Sequence, residues 1–163
     1  MDRICGWALL FASRAVIESW HGIRASAGSV TDYERACAVT EEIGVIQIGS
    51  AQALVLGDEP DRCALASRSP TDILMVRWRW AESEESLLAA LDLERIERLP
   101  WKNQGFFEAA AGEYMLFDSA CDGAEIASAL SVEISMGDYL IDTVECRPNA
   151  SVCALLRRLH LKG

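Results

Sequence analysis

The chain is poor in the residue types that most often mark an active site. It has two histidines, His21 and His160, and no closely spaced Cys/His pair. Zinc sites use such pairs to pre-organise a tetrahedron, so neither a metal nor a cofactor is expected. The six cysteines (5, 37, 63, 121, 146 and 153) contain no CxxC. They read as small buried hydrophobes in a reducing compartment, not as a disulfide frame. The sequence also lacks GxSxG, a P-loop, HExxH, an EF-hand loop and GxGxxG. Its four prolines mark turns rather than a linker.

Long apolar runs are missing too. None approaches the roughly 18 residues that a bilayer span needs. Ile4 to Ala12 is preceded by Asp2 and Arg3 and followed by Ser13-Arg14-Ala15, a poor cleavage site, so it reads as a buried strand and not a signal peptide. Positive charge is scarce: 15 Lys+Arg against 25 Asp+Glu, a net charge of −10. Such a surface repels phosphate backbones and attracts basic partners. The expectation is a cytoplasmic protein with no nucleic-acid and no membrane partner.

What is present is a chain of 163 residues, 51% hydrophobic and 25% charged. That suits one domain, residues 1–163, with its own core. Ser13 offers an N-cap for a short helix to Trp20, and Thr31/Glu34 has capping-box spacing for a helix over Asp32 to Thr40. Val45–Ile48 and Ala51–Leu56, split by Gly49-Ser50, predict a hairpin. Cys63–Ala66 predicts a short strand. Ile73–Trp80 predicts a longer one, with Leu74, Val76, Trp78 and Trp80 on one face and Arg77 and Arg79 on the other, exposed or paired with acids.

Ser83 caps a helix whose buried stripe is Leu87, Leu88 and Leu91. Residues 94–108 carry no clear pattern. Strands follow at Tyr114–Phe117, Leu130–Ile134 and Tyr139–Cys146, and Val152–Leu161 is a last strand or short helix. About eight strands and two or three short helices make the fold class α+β, mainly an antiparallel β sandwich or barrel-like sheet.

Candidate chemistry is sparse. His21 or His160 could serve as a base beside Cys37 or Ser119 only if folding brings them together, since triads are spatial. His21 reads more simply as a helix-end residue. Carboxylate pairs (Asp58/Glu59, Glu84/Glu85, Asp118/Asp122) are expected by chance among 25 acids and read as surface. The unusual feature is acidic clustering: six acids and two arginines in Glu82–Arg98, with more at Gly57–Asp61. Together these make a negative face that would steer a cationic partner.

Several ordered strings resemble the immunity protein 21 family. They are Gly6-Trp7-Ala8-Leu9-Leu10, Trp20-His21-Gly22, Asp32-Tyr33-Glu34-Arg35-Ala36-Cys37-Ala38-Val39 and Ile43-Gly44-Val45-Ile46. Ala53-Leu54-Val55-Leu56-Gly57-Asp58-Glu59-Pro60, Val76-Arg77-Trp78 and Ser83-Glu84-Glu85-Ser86-Leu87-Leu88 follow, then Leu116-Phe117-Asp118-Ser119 and Gly137-Asp138-Tyr139. Trp7 and Ala8 depart from the glycine and proline of the family pattern. The resemblance implies an intracellular immunity protein that binds and neutralises a cognate bacterial toxin domain, with no catalysis of its own. A nuclease, and hence a basic toxin, would suit the charge. Asp58, Glu59, Glu82, Glu84 and Glu85 are the candidate toxin-binding residues. Two other readings stand beside it: an enzyme with a non-local site, and a small-molecule binding module with a tryptophan-lined barrel mouth.

Overall fold

A computed structural model describes residues 4–5, 8–24, 29–57 and 62–163. Among these, eleven strands form wherever apolar residues run between turn residues. They are β1 (Ile4–Cys5), β2 (Leu9–Ser13), β3 (Gly44–Ile48), β4 (Ala51–Leu56), β5 (Arg62–Ser69), β6 (Asp72–Trp80), β7 (Lys102–Ala109), β8 (Gly112–Asp118), β9 (Ala129–Ile134), β10 (Gly137–Asn149) and β11 (Val152–Leu161). Three helices, α1 (Asp32–Cys37), α2 (Glu84–Ala90) and α3 (Leu93–Glu97), and a 3-10 turn at Ile17–Ser19 complete the set.

One sheet has the order β1-β5-β6-β11-β10-β7 and the other β3-β4-β2-β8-β9. Every pairing is antiparallel. The protein is therefore the expected α+β type, an open two-sheet sandwich and not a closed barrel. The Gly49-Ser50 hairpin forms in the register its sequence predicts, Ile48 opposite Ala51. Ile4–Ala12, expected as one strand, is two: β1 joins the six-stranded sheet and β2 the five-stranded one. Val152–Leu161 is a strand and not a helix.

Inward-facing side chains from both sheets build the main core. Phe11 of β2 lies 5.3 Å from Tyr114 of β8 and 6.4 Å from Phe107 of β7, ring centre to ring centre. Phe107 meets Tyr114 edge-on at 5.9 Å. These three buried rings join the two sheets, and such pairs add about 0.5–1.5 kcal/mol each beyond burial.

Each sheet also has an outer covering. On the six-stranded sheet, Ala64, Leu74, Val76, Val144, Ala154 and Leu156 pack with Leu87 of α2 and Ile96 of α3. That second layer explains why β6 and β11 read as nearly unbroken apolar runs. Ser83 caps α2 as predicted, its hydroxyl accepting from the Ser86 N–H at 3.1 Å. Leu87 is buried, but Leu88 is 42% exposed, which corrects the predicted stripe. Positions 87 and 91 share a helix face, whereas 88 lies about 100° round the axis.

On the five-stranded sheet the covering is Ile17, Trp20 and Ala36. The predicted Ser13–Trp20 helix does not form. The Ser13 hydroxyl accepts from the N–H of Ala15, a local turn that competes with capping, and the chain then delivers Trp20 inward. The Trp20 indole N–H donates to the Ser119 carbonyl at 2.8 Å, and the Gly123 N–H donates to the Trp20 carbonyl at 2.7 Å. Thr31 and Glu34 form the predicted capping box. Their helix stops at Cys37, short of Thr40, and Val39 instead packs against Gly44, where a β-carbon would sit 2.6 Å from its methyl.

The face of β6 expected to be an exposed or surface-paired basic stripe points between the sheets at Arg77. Arg77 is buried and donates to the Gly57 carbonyl. Arg157 of β11 is fully buried on the same face and donates to the Glu42 carbonyl at 2.8 Å. Its Nε and Nη1 are buried without a hydrogen-bond partner among the described residues. Burial pulls its pKa down to about 10, which leaves it charged at neutral pH.

Replacing a buried charge by an apolar side chain of similar length removes a desolvation cost. Arg157→Met should thus leave stability unchanged or raise it by about 1–2 kcal/mol. Arg157→Ala leaves a cavity and should lower it by about 2–5 kcal/mol. Urea unfolding of the two variants measures both.

Candidate functional site

The sequence-nominated acids divide. Asp58 and Glu59 lie outside the described residues. Glu82 and Glu85 are exposed and Glu84 is half-buried at the first turn of α2. Acids there also favour the helix dipole, so part of their role is local. Beside them stand two exposed apolar groups, Leu88 and Trp80, the latter 43% exposed with the Arg147 guanidinium 4.8 Å from its ring. Arg62 sits 5.5 Å from the Trp78 ring, and a narrow groove runs between Arg62, Val76, Trp78, Glu84 and Leu87. This end of the six-stranded sheet joins negative charge to apolar surface.

Further along the same face the carboxylates are neutralised. Arg158 grips Asp72 in a bidentate pair, both contacts 2.8 Å, and reaches Glu97 at 3.1 Å. Arg68 pairs with Glu97 and with Asp72 at 3.4 Å. These four side chains tie α3 to β5, β6 and β11. The Arg68 hydrogen bond is the largest influence holding the Glu97 carboxyl below its ordinary value.

His160 lies 2.7 Å from the Asp142 carboxylate, whose other oxygen accepts from the Asn103 amide at 3.0 Å. His21 is an exposed side chain 3.7 Å from Asp122, which also pairs with Arg24 at 3.2 Å. A hollow of about 390 Å³ opens between His21, Arg24, Val30, Thr31, Asp32 and Asp122. His21 follows the 3-10 turn at Ile17–Ser19 and its Trp20 cap, so it does sit just past a helix end, although that helix is one 3-10 turn, and its N–H donates to the Asp32 carboxylate at 2.9 Å.

The pairing of a histidine with Cys37 or Ser119 that an enzyme reading requires is not assembled. Neither histidine hydrogen-bonds either residue. The Ser119 hydroxyl is buried without a partner among the described residues. Cys37 is exposed, which corrects its reading as a buried hydrophobe, and it bonds Tyr33. Cys63, Cys146 and Cys153 are buried as expected. Nor do the described tryptophans share a barrel mouth: Trp20 is in the covering of one sheet, Trp78 and Trp101 border the helix layer of the other, and Trp80 faces solvent, while Trp7 lies outside the described residues.

One surface was invisible in the sequence. β7 is an edge strand, and Phe106 on it is 57% exposed. Glu108 stands directly opposite Asp138 of β10, and Lys162 holds its ammonium 5.2 Å from the Phe106 ring centre. Gln52, Phe106, Glu108, Asp138 and Lys162 line a hollow of about 300 Å³. Only the Phe106–Phe107 doublet hinted at a strand here. An edge strand with a polar outer face lacks the apolar alternation that reveals buried ones.

Among the described residues, no helix is long and apolar enough to cross a membrane, and no group of three or more His, Cys, Asp or Glu could hold a metal ion.

An antiparallel two-sheet sandwich with short helices packed on its outer faces defines the architecture, and the relationship follows from most of the chain. The family described as Immunity protein 21 matches residues 5–151, so the chain belongs to the immunity protein 21 family. No curated protein and no solved structure matches it.

The salt-bridge network gives a pH signature. The folded Glu97 carboxyl is held below its ordinary 4.5. Its contribution is complete above that value and is lost as pH falls through the lowered folded value. Melting curves should show Glu97→Gln less stable than wild type above pH 4.5, with the gap closing as the pH drops further.

Proposed function

We propose that the chain is a cytoplasmic immunity protein, a single domain over residues 1–163, that binds a cognate basic toxin domain and blocks it by contact, without catalysis of its own. A nuclease is the toxin class that suits its charge best. Membership of the immunity protein 21 family over residues 5–151 carries this reading. The net charge of −10 supports it, because opposite charge speeds encounter with a basic partner and repels nucleic acid.

In this reading Asp58, Glu59, Glu82, Glu84 and Glu85 steer the toxin towards the α2 end of the six-stranded sheet. Trp80 and Leu88 supply apolar area beside them. A stable complex would bury about 1,200–2,000 Å².

The toxin domain encoded beside this protein is the partner to test. Its expression should arrest bacterial growth, co-expression of this chain should restore it, and the two should co-purify. Absence of both rescue and complex with folded proteins would reject the pairing. The triple change Glu82→Lys/Glu84→Lys/Glu85→Lys should slow association by roughly tenfold at low salt and flatten its salt dependence. Stopped-flow mixing over a salt series reads both, and unchanged rates would remove α2 from the steering face.

A further inference from the structure

The helices cover only half of the outer face of the six-stranded sheet. Leu74, Val76, Val144 and Leu156 lie beneath α2 and α3. At the other end of the strands the outward rows are open. Phe106 lies opposite Leu140, which lies opposite His160, and Glu108 lies opposite Asp138. Near this end β7 carries a bulge: Gly105 pairs with Ile141 and Asn103 with Asp142, which leaves Gln104 as an extra residue. Gly105 takes φ 131°, a conformation that favours glycine.

The two carboxylates at this opening differ from several others on the described surface. Asp72 and Glu97 are neutralised by Arg68 and Arg158, Asp122 by Arg24, Asp32 by Arg35, and Asp142 contacts His160. Glu108 and Asp138 face each other across neighbouring strands, and neither makes an ion pair among the described residues. Like charges directly opposite in a sheet are destabilising on their own. A cation placed between them would reverse that cost. The second such pair, Glu113 opposite Glu133, has no exposed aromatic ring beside it.

Phe106 supplies the rest of the recognition. An exposed phenyl face attracts a cation, and Lys162 already holds one there at 5.2 Å. The strand edge itself offers less, because Gln52 already accepts the outward N–H of Glu108 at 2.8 Å. The hollow of about 300 Å³ is large enough for one long side chain.

We infer that the hollow formed by Phe106, Glu108 and Asp138 anchors the toxin by taking one of its lysine or arginine side chains. The inference rests on the toxin-binding reading and adds its anchor point. The incoming cation lies against the Phe106 ring, its charged head meets the two carboxylates, and Lys162 swings out to make room. The acids of α2 govern approach, while this hollow governs release.

The test uses the full chain and the toxin domain encoded beside it. Phe106→Ala and the double change Glu108→Lys/Asp138→Lys should each raise the dissociation rate by about tenfold or more, as expected for an anchor. Lys162→Gln should lower it several-fold, because a competing cation is gone. A purely structural role would not move these variants in opposite directions. All four side chains are exposed, so melting temperatures should stay close to wild type.

Hydrogen exchange on the unmodified pair keeps the test open if a variant misfolds: amides of residues 103–108 should gain protection on toxin binding. A wild-type complex with unchanged dissociation in the variants and no protection there overturns the anchor and leaves the toxin-binding reading standing. No complex with the wild-type chain overturns both. Self-association of the wild type that Phe106→Ala abolishes would assign the hollow to a second copy and overturn it as a toxin site.

Discussion

Two guanidinium groups enclosed between the sheets constrain much of this fold. A buried cation must find acceptors, because an unsatisfied charge in a poorly polar interior is costly. Arg77 and Arg157 find backbone carbonyls in loops that leave the five-stranded sheet, Gly57 after β4 and Glu42 before β3. Both loops are thereby fixed to strands of the opposite sheet. Gly57 has to be glycine for this geometry, since a β-carbon there would lie 2.7 Å from the Glu41 carbonyl. The acidic segment Asp58-Glu59 thus departs from a point that Arg77 pins.

The layering decides which surfaces are left for a partner. β2 is buried along its whole length, and β11 nearly so, because the sandwich core lies on one side and a covering on the other. The 14–24 loop and α1 cover the five-stranded sheet, with Trp20 as their anchor. The helices α2 and α3 cover the β5–β6–β11 side of the six-stranded sheet, locked down by Arg68, Asp72, Glu97 and Arg158. These coverings stop short of β7. The open ground that results is a consequence of two short helices being unable to span a six-stranded sheet.

Sequence patterns were legible where burial imposes a period or a cap imposes a side chain. The hairpin at Gly49-Ser50, the cap residues Thr31 and Ser83, and the strand over Ile73–Trp80 all follow from local rules. Sidedness failed at Arg77: alternation separated it correctly from Trp78, but an arginine facing the inter-sheet core contradicts what composition leads one to expect. The 94–108 stretch failed for the opposite reason. β7 has one polar face, a bulge at Gly105 and no partner beyond its edge, so its pattern is set by tertiary position.

The strings that carry the family resemblance meet one another in the structure. The Tyr33 N–H bonds the Gly22 carbonyl at 3.0 Å, Trp20 bonds Ser119, and Arg77 bonds Gly57. These are junctions between elements, where few residue types fit. That is why they were readable, and why they say little about the binding face. The acids nominated from clustering are the proposed contacts that sequence alone could reach. The hollow at Phe106 depends on which strands become neighbours, and that information is not local.

Charge and contact act over different lengths here. β11 runs from beside α2 to beside the Phe106 hollow, and its ten residues span about 30 Å. Screening in physiological salt acts over about 8 Å, so the two ends behave as electrostatically separate sites. The net charge of −10 cannot by itself fix where a partner sits; it would raise the encounter rate with a basic partner over much of the surface. Orientation has to come from groups that lose solvent on contact. On the six-stranded face those are Trp80 and Leu88 at one end and Phe106 at the other. A partner touching both ends would be held at two points too far apart for one to substitute for the other. One touching a single end would depend on that end's aromatic ring, because the Asp72 and Glu97 carboxylates between them are already paired with Arg68 and Arg158.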